Sequence, residues 1–193
     1  FDDQPITKKI DNKKGEGLIF IVGMPRSGTT LTESILSTAE DIVAGGEKVF
    51  FTNNLWSIFS ELKPDQKINP AFIEELGDRY LSTIEFHRNG AFNFIDKMPA
   101  NFLYYKFIKM ALPSSKFIHV HRNSWDNAIS LFKANYQDTI IYSSSFFGIA
   151  TEYSNYYHLM KFWEKVSGKS SFYHITYEDL VSKTDEMIKQ LWD

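Results

Sequence analysis

The chain has 193 residues, a formal net charge of −3, no cysteine, and 17 Phe, 10 Tyr and 4 Trp. That length fits one α/β domain with a helical insertion and buries roughly 70% of the unfolded surface, so a core forms without disulfide or zinc staples. The missing cysteines exclude disulfides and thiolate-held metals, the acidic balance argues against nucleic-acid or anionic-membrane partners, and no apolar run nears the ~18 residues of a membrane helix.

In chain order, "FDDQPITKKIDNKKGEG" (1–17) is polar and glycine-punctuated, a solvated lead-in. The chain opens on Phe1 with no secretory signal pattern, as a fragment or processed product would. "LIFIV" (18–22) is a short β-branched run suited to a parallel sheet, and "FNFID" (92–96), "KFIHV" (116–120) and "SFYHI" (171–175) are further strands. Helical spacing joins Phe72, Leu76, Tyr80 and Ile84, then Trp125, Ile129, Phe132 and Tyr136, then Tyr153, Tyr157, Met160 and Trp163. Pro64 and Pro70 mark a break between two helices of an insertion. Strands alternating with helices predict a doubly wound, mostly parallel sheet, P-loop-like, flanked by helices, with a helical insertion after the first βα unit. Ligands of such sheets sit beyond the carboxyl ends of the strands.

Four strand ends then select residues. After the first comes "GMPRSGTTL" (23–31), a G-x-x-x-x-G turn whose backbone N–H groups and following helix N-terminus form an anion nest, with hydroxyls from Ser27, Thr29 and Thr30. A triphosphate loop carries lysine after its second glycine; here Thr29 stands there and the cation is Arg26, inside the loop. Lys97 follows the second strand, Arg122 the third with Ser130 two helical turns further on, and Tyr177 the fourth. Arginine at such a position suits bidentate contact with a phosphate. Arg26, Lys97 and Arg122 together suit an anion with separated charged groups. No clear acidic magnesium ligand accompanies them, although Asp96 at a strand end keeps magnesium open. A sulfuryl group, less charged than a γ-phosphoryl group, accounts for cations without metal.

At these residues the chain resembles sulfotransferases that use 3′-phosphoadenosine-5′-phosphosulfate (PAPS), in the bacterial branch related to tyrosylprotein and tetratricopeptide-linked sulfotransferases. The matching stretches are "IVGMPRSGTTLTESIL", "GGEK", "DKMPAN", "KFIHVHRNSWDNAISLF", "YYHLMKFW" and "ITYEDLV", in family order over most of 18–183. The resemblance implies that Pro25, Arg26, Ser27, Gly28, Thr29 and Thr30 hold the 5′-phosphosulfate, with Arg26 the transition-state cation. It implies that Arg122 and Ser130 grip the 3′-phosphate, that Tyr177 contacts the adenine, and that Lys97 lies near the transferred group. Glu47 matches the carboxylate proposed as general base, against a plain reading as a helix-start acid. The product would be 3′,5′-adenosine bisphosphate, the acceptor a hydroxyl on a peptide tyrosine, phenol, sugar or lipid, and no metal would be required; for a bacterial source the resemblance implies the cytoplasm.

There are departures. Arg122-Asn123-Ser124 replaces the family's commoner Arg-Asp-Pro, and Leu31 stands where cytosolic relatives stack a tryptophan on adenine. His119 and His121, two apart on one strand, are read as sheet-satisfied rather than as a base. Relatives continue past "KQLWD", so 18–193 is expected to be one domain truncated at its C-terminus. Phe50, Phe51, Trp56 and Phe59 are core or acceptor-pocket candidates. The competing readings are a kinase using ATP and magnesium, and a catalytically silent nucleotide-binding module.

Overall fold

The computed structural model describes residues 12–61, 68–134, 136 and 140–192. Among the described residues five strands, β1 (Leu18–Gly23), β2 (Ile42–Ala44), β3 (Asn93–Asp96), β4 (Lys116–His121) and β5 (Tyr173–Thr176), form one sheet in the order β2-β3-β1-β4-β5. Every pairing is parallel, with Phe20 opposite both Asp96 and Phe117, and Gly23 opposite Val120. The helices are α1 (Thr29–Leu36), α2 (Phe50–Glu61), α3 (Pro70–Arg88), α4 (Tyr105–Ala111), α5 (Ser124–Ala134), α6 (Phe146–Ser167), α7 (Tyr177–Ser182) and α8 (Thr184–Trp192).

The two faces of the sheet bury different chemistry, as alternation along parallel strands requires. On one face Phe20, Phe117 and Phe172 meet Phe51 of α2, Tyr80 of α3, Tyr105 of α4 and Trp163 of α6. Phe20 is at the centre, fully buried, with ring centroids 5.0 Å from Phe117, 5.9 Å from Phe51 and 5.8 Å from Tyr80. Each such pair adds about 0.5–1.5 kcal/mol beyond burial of its area. On the other face Ile21, Ile95, Ile118, Val120 and Ile175 pack with Leu36 of α1, Leu180 of α7 and Met187 of α8.

The insertion helix α3 starts as its sequence directs. Pro70 occupies the first turn and the Asn69 side chain accepts from the Ala71 N–H at 3.0 Å. Its partner in the sequence reading, Pro64, lies outside the described residues. β2 carries no strand signal in the sequence; three residues long, it exists because β3 offers it a parallel edge. The apolar stripe of α5 is a second departure: Trp125, Ile129 and Phe132 are exposed, and Asn127 and Leu131 face the protein. In α6 it is Tyr156, Met160 and Trp163 that are buried, with Tyr157 exposed.

Asp96, the candidate magnesium acid, is 1% exposed and accepts the Tyr80 hydroxyl at 2.8 Å. Burial raises its carboxyl from 3.8 to about 7, against the opposing pull of the Tyr80 bond. A raised folded value means the group's stability contribution is complete below the ordinary carboxyl value and is lost as pH rises toward 7. Asp96→Asn keeps an acceptor for Tyr80 and removes the charging cost. Its stability relative to the parent, read by urea unfolding, is expected to rise between pH 4.5 and 7.5; a pH-independent difference would contradict this origin.

Candidate functional site

The loop between β1 and α1 is shaped by three backbone requirements. Gly23 packs so closely on β4 that a Cβ would lie 2.2 Å from the Val120 carbonyl oxygen. Arg26 adopts a left-handed conformation (φ 68°), which costs a non-glycine residue on the order of 1–2 kcal/mol. Gly28 caps α1 at φ 106°, and a Cβ there would meet the Tyr177 ring at 2.7 Å. Gly28 brings no side chain to cap α1, so among the described residues the helix N-terminus has no side-chain cap from its N-cap position.

Residues from the end of β4 and from α5 take two of the loop's carbonyls. Asn127 Nδ2 donates to the Pro25 carbonyl at 3.0 Å and an Arg122 guanidinium nitrogen to the Arg26 carbonyl at 3.5 Å. Arg26 Nε donates to Ser130 Oγ at 3.2 Å, and the Arg122 guanidinium lies 4.4 Å over the Tyr177 ring. Tyr177 therefore stands between Gly28 and Arg122. Glu178, next along α7, accepts the Asn123 N–H at 2.9 Å and ties α5's start to β5's end. Asn123 Oδ1 in turn accepts the Trp125 and Asp126 N–H groups at 3.0 and 3.3 Å, capping α5 so that it starts without a proline. Two buried polar atoms point to an anion: Ser27 Oγ and Arg122 Nε have no hydrogen-bond partner among the described residues.

The β2–β3 side carries a second group. Lys97, 7% exposed, reaches the exposed Glu47 carboxylate at 2.6 Å. The turn holding Glu47 prolongs the β2–β3 pairing: Gly45 N–H donates to the Ile95 carbonyl at 2.8 Å, and Lys97 N–H to that of Gly46 at 3.0 Å. Both glycines of "GGEK" have reasons. A Cβ on Gly45 would lie 2.3 Å from the Phe94 ring, and Gly46 has φ 66°. Its N–H donates at 2.9 Å to Oε1 of Glu33, a residue of α1 that sequence reasoning passed over because its only signal is its place on the helix's inward face with Thr29, Thr32 and Leu36.

Sheet order sets the two groups apart. β1 and its loop are central; Arg122, Ser130 and Tyr177 flank it from the β4–β5 side, Lys97 and Glu47 from the β2–β3 side. Among the described residues Arg26 bonds toward the first group, not to the Lys97–Glu47 pair. The histidines belong to neither. His119 Nε2 meets the Tyr156 hydroxyl and its Nδ1 lies 3.0 Å from Nδ1 of His174, whose other nitrogen is 3.6 Å from Glu164. Burial pushes His119 down to about 3 and lowers His121, so both stay neutral at ordinary pH.

Of the aromatic candidates after Glu47, Phe51 is core, Phe50 packs half-buried against it, and Trp56 is 66% exposed. The Phe59 side chain lies outside the described residues. Leu31 is partly exposed on α1 (37%). A groove of about 580 Å³ opens at the opposite ends of the strands, lined by Ile19, Leu36, Ile42, Phe117 and Leu191, away from every candidate residue.

Comparison with known proteins bears on the family and the fold. An Aquifex aeolicus protein named only "Uncharacterized protein" is 28% identical over 94% of the chain, and a Caenorhabditis briggsae "Putative protein-tyrosine sulfotransferase" is 33% identical over 56%. The chain spans about a quarter of the first relative's length (26%) and 40% of the second's. Among solved structures, a sulfotransferase from Alicyclobacillus acidocaldarius aligns over 89% of this chain and 77% of its own, with a TM-score of 0.57 at 20% identity. The mouse sulfotransferase SULT7A1, solved with PAP, aligns over 91% of this chain and 57% of its own, with a TM-score of 0.51 at 16% identity. At these identities the structures establish the shared fold. The model of the Sulfotransferase family matches residues 19–193, and the chain belongs to that family.

Proposed function

We propose that the protein transfers a sulfuryl group from PAPS to a hydroxyl acceptor by in-line displacement. The observation that carries this reading is the β1–α1 loop with the unpartnered Ser27 Oγ and Arg122 Nε beside it, flanked by Arg122 over Tyr177 on one side and the Lys97–Glu47 pair on the other. The bound donor would supply an activated sulfuryl group. The chain's residues divide the remaining work. Ser27, Thr29, Thr30 and the uncapped N-terminus of α1 hold the 5′-phosphosulfate, and Pro25 and Gly28 shape the turn that presents those donors. Arg122, through its free Nε, and Ser130 hold the 3′-phosphate; Tyr177, buttressed by Arg122, borders the adenine.

Arg26 and Lys97 neutralise the sulfuryl oxygens as charge builds there, and losing one costs on the order of 10²–10³ in rate. This role requires Arg26 to leave Ser130, freeing that hydroxyl for the phosphate. Glu47 takes the acceptor proton. Lys97 holds Glu47 Oε1, so the acceptor approaches Oε2. Val49 and Trp56, exposed after Glu47, together with the nematode relative's name, make a tyrosine hydroxyl the first acceptor to try. No step calls on a metal. Asp96, the acid a magnesium-dependent kinase would use, is buried against Tyr80 instead.

A thermal-shift titration with 3′,5′-adenosine bisphosphate, beside ATP with and without magnesium, tests the donor. At 100 times its dissociation constant the bisphosphate adds about 2.7 kcal/mol and raises Tm by a few degrees. Stabilisation by magnesium-ATP alone would overturn the reading.

A second test separates the roles. Arg122→Ala is expected to weaken bisphosphate binding by roughly 10–100-fold, the loss of a charge-assisted pair. Glu47→Gln is expected to leave that affinity intact and to lower turnover of PAPS with N-acetyltyrosinamide. Equal binding losses in both variants would refute the division.

A further inference from the structure

We infer that Glu33 is a positioning residue: it holds Glu47 in place through the backbone of Gly46. The inference rests on the reading of Glu47 as proton acceptor and adds a residue to that machinery. Glu33 is 8% exposed, on the α1 face that buries Thr29, Thr32 and Leu36. A buried carboxylate is costly unless it accepts hydrogen bonds. Glu33 Oε1 takes the N–H of Gly46 at 2.9 Å.

That bond closes a circuit around Glu47. The Gly46 N–H goes to Glu33, the Gly46 carbonyl to Lys97 N–H, and the Glu47 carboxylate to Lys97 Nζ. The turn is thus clamped from β3 and from α1 together, and Gly46 is the residue that can take φ 66° while offering its N–H inward. Without Glu33 the turn is tied to the loop only by way of β3 and β1, and its direct bond to α1 is lost. α1 supplies that link because it begins at the loop. Glu33 lies one turn from Thr29, about 6 Å along the axis. A carboxylate at this position therefore sets the spacing between the atoms that hold the donor and the atom that takes the proton.

The test uses two readouts on the protein without ligand and in turnover. Amide hydrogen exchange of Gly46, followed by NMR, is expected to speed up by about tenfold or more in Glu33→Ala, while Glu33→Gln, which keeps an acceptor oxygen, retains most of the protection. Turnover of PAPS with N-acetyltyrosinamide is expected to fall about tenfold in Glu33→Ala with bisphosphate affinity within about twofold of the parent, and to recover in Glu33→Gln. Should Glu33→Ala fail to fold, Glu33→Asp, whose acceptor is drawn back by one methylene, carries the same comparison.

Unchanged Gly46 exchange in the variant overturns the inference. So does a loss of bisphosphate affinity as large as the loss of turnover, or a Glu33→Gln variant as impaired as Glu33→Ala. Full turnover in Glu47→Gln would instead sink the reading of Glu47, whereas an inactive Glu47→Gln beside a fully active Glu33→Ala sinks only the role of Glu33.

Discussion

At Gly23 the central strand runs so close to β4 that no side chain fits between its Cα and the Val120 carbonyl, and Ser27 Oγ would lie only 2.9 Å from an added Cβ. That approach decides how the chain leaves the sheet. It turns at once, passes through the left-handed Arg26, folds Ser27 over the strand end, and enters α1 at Gly28, where the Tyr177 ring again leaves no room for a Cβ. The carbonyls of the turn are held by Asn127 and Arg122, leaving the helix N-terminus unopposed. The shape of the candidate anion site results from backbone packing before any charged side chain is counted.

The parallel sheet then distributes the charged groups. Because every strand runs the same way, every strand end delivers its next residue to one edge, and the order β2-β3-β1-β4-β5 assigns each to a side of the loop. The strands can run unbroken to that edge because both faces are covered, one by rings centred on Phe20 and the other by branched aliphatics. Aromatic richness, conspicuous in the composition, is spent mostly in this core. Other aromatics stay at the surface, among them Trp56 of α2, Phe86 of α3, Trp125 and Phe132 of α5 and Phe147 of α6.

The central fold was legible because its signals are local. "LIFIV" before "GMPRSGTT", a β-branched run ahead of a glycine-bounded turn, needs no tertiary knowledge to read, and the other long strands share its form. β2 was not legible, since "IVA" becomes a strand only through the edge that β3 presents. The helix of α5 was evident from its spacing, but its orientation was not. Ser130 and Asn127 are drawn inward by the loop, which turns the apolar stripe outward against the usual preference. Lys97, Arg122 and Tyr177 could be assigned to one edge from strand ends alone, whereas the partition into two groups depends on strand order, which the sequence does not state. Glu33 shows the limit: the bond that gives it meaning runs to a backbone amide, and amides carry no sequence signature.

Glu47 follows the sheet's shortest strand, at its edge, while Arg122 and Tyr177 follow β4 and β5. Partial opening of a native protein begins where the fewest backbone bonds and the least buried surface must be surrendered. Peeling β2 from β3 separates Glu47 from Lys97 yet leaves β1, β4 and the loop between them intact. Opening at that edge is thus expected to disturb the geometry around the Glu47 carboxylate before it reaches the loop between β1 and α1. Under the proposed reading, donor binding and proton transfer would then be two stabilities, the second the smaller.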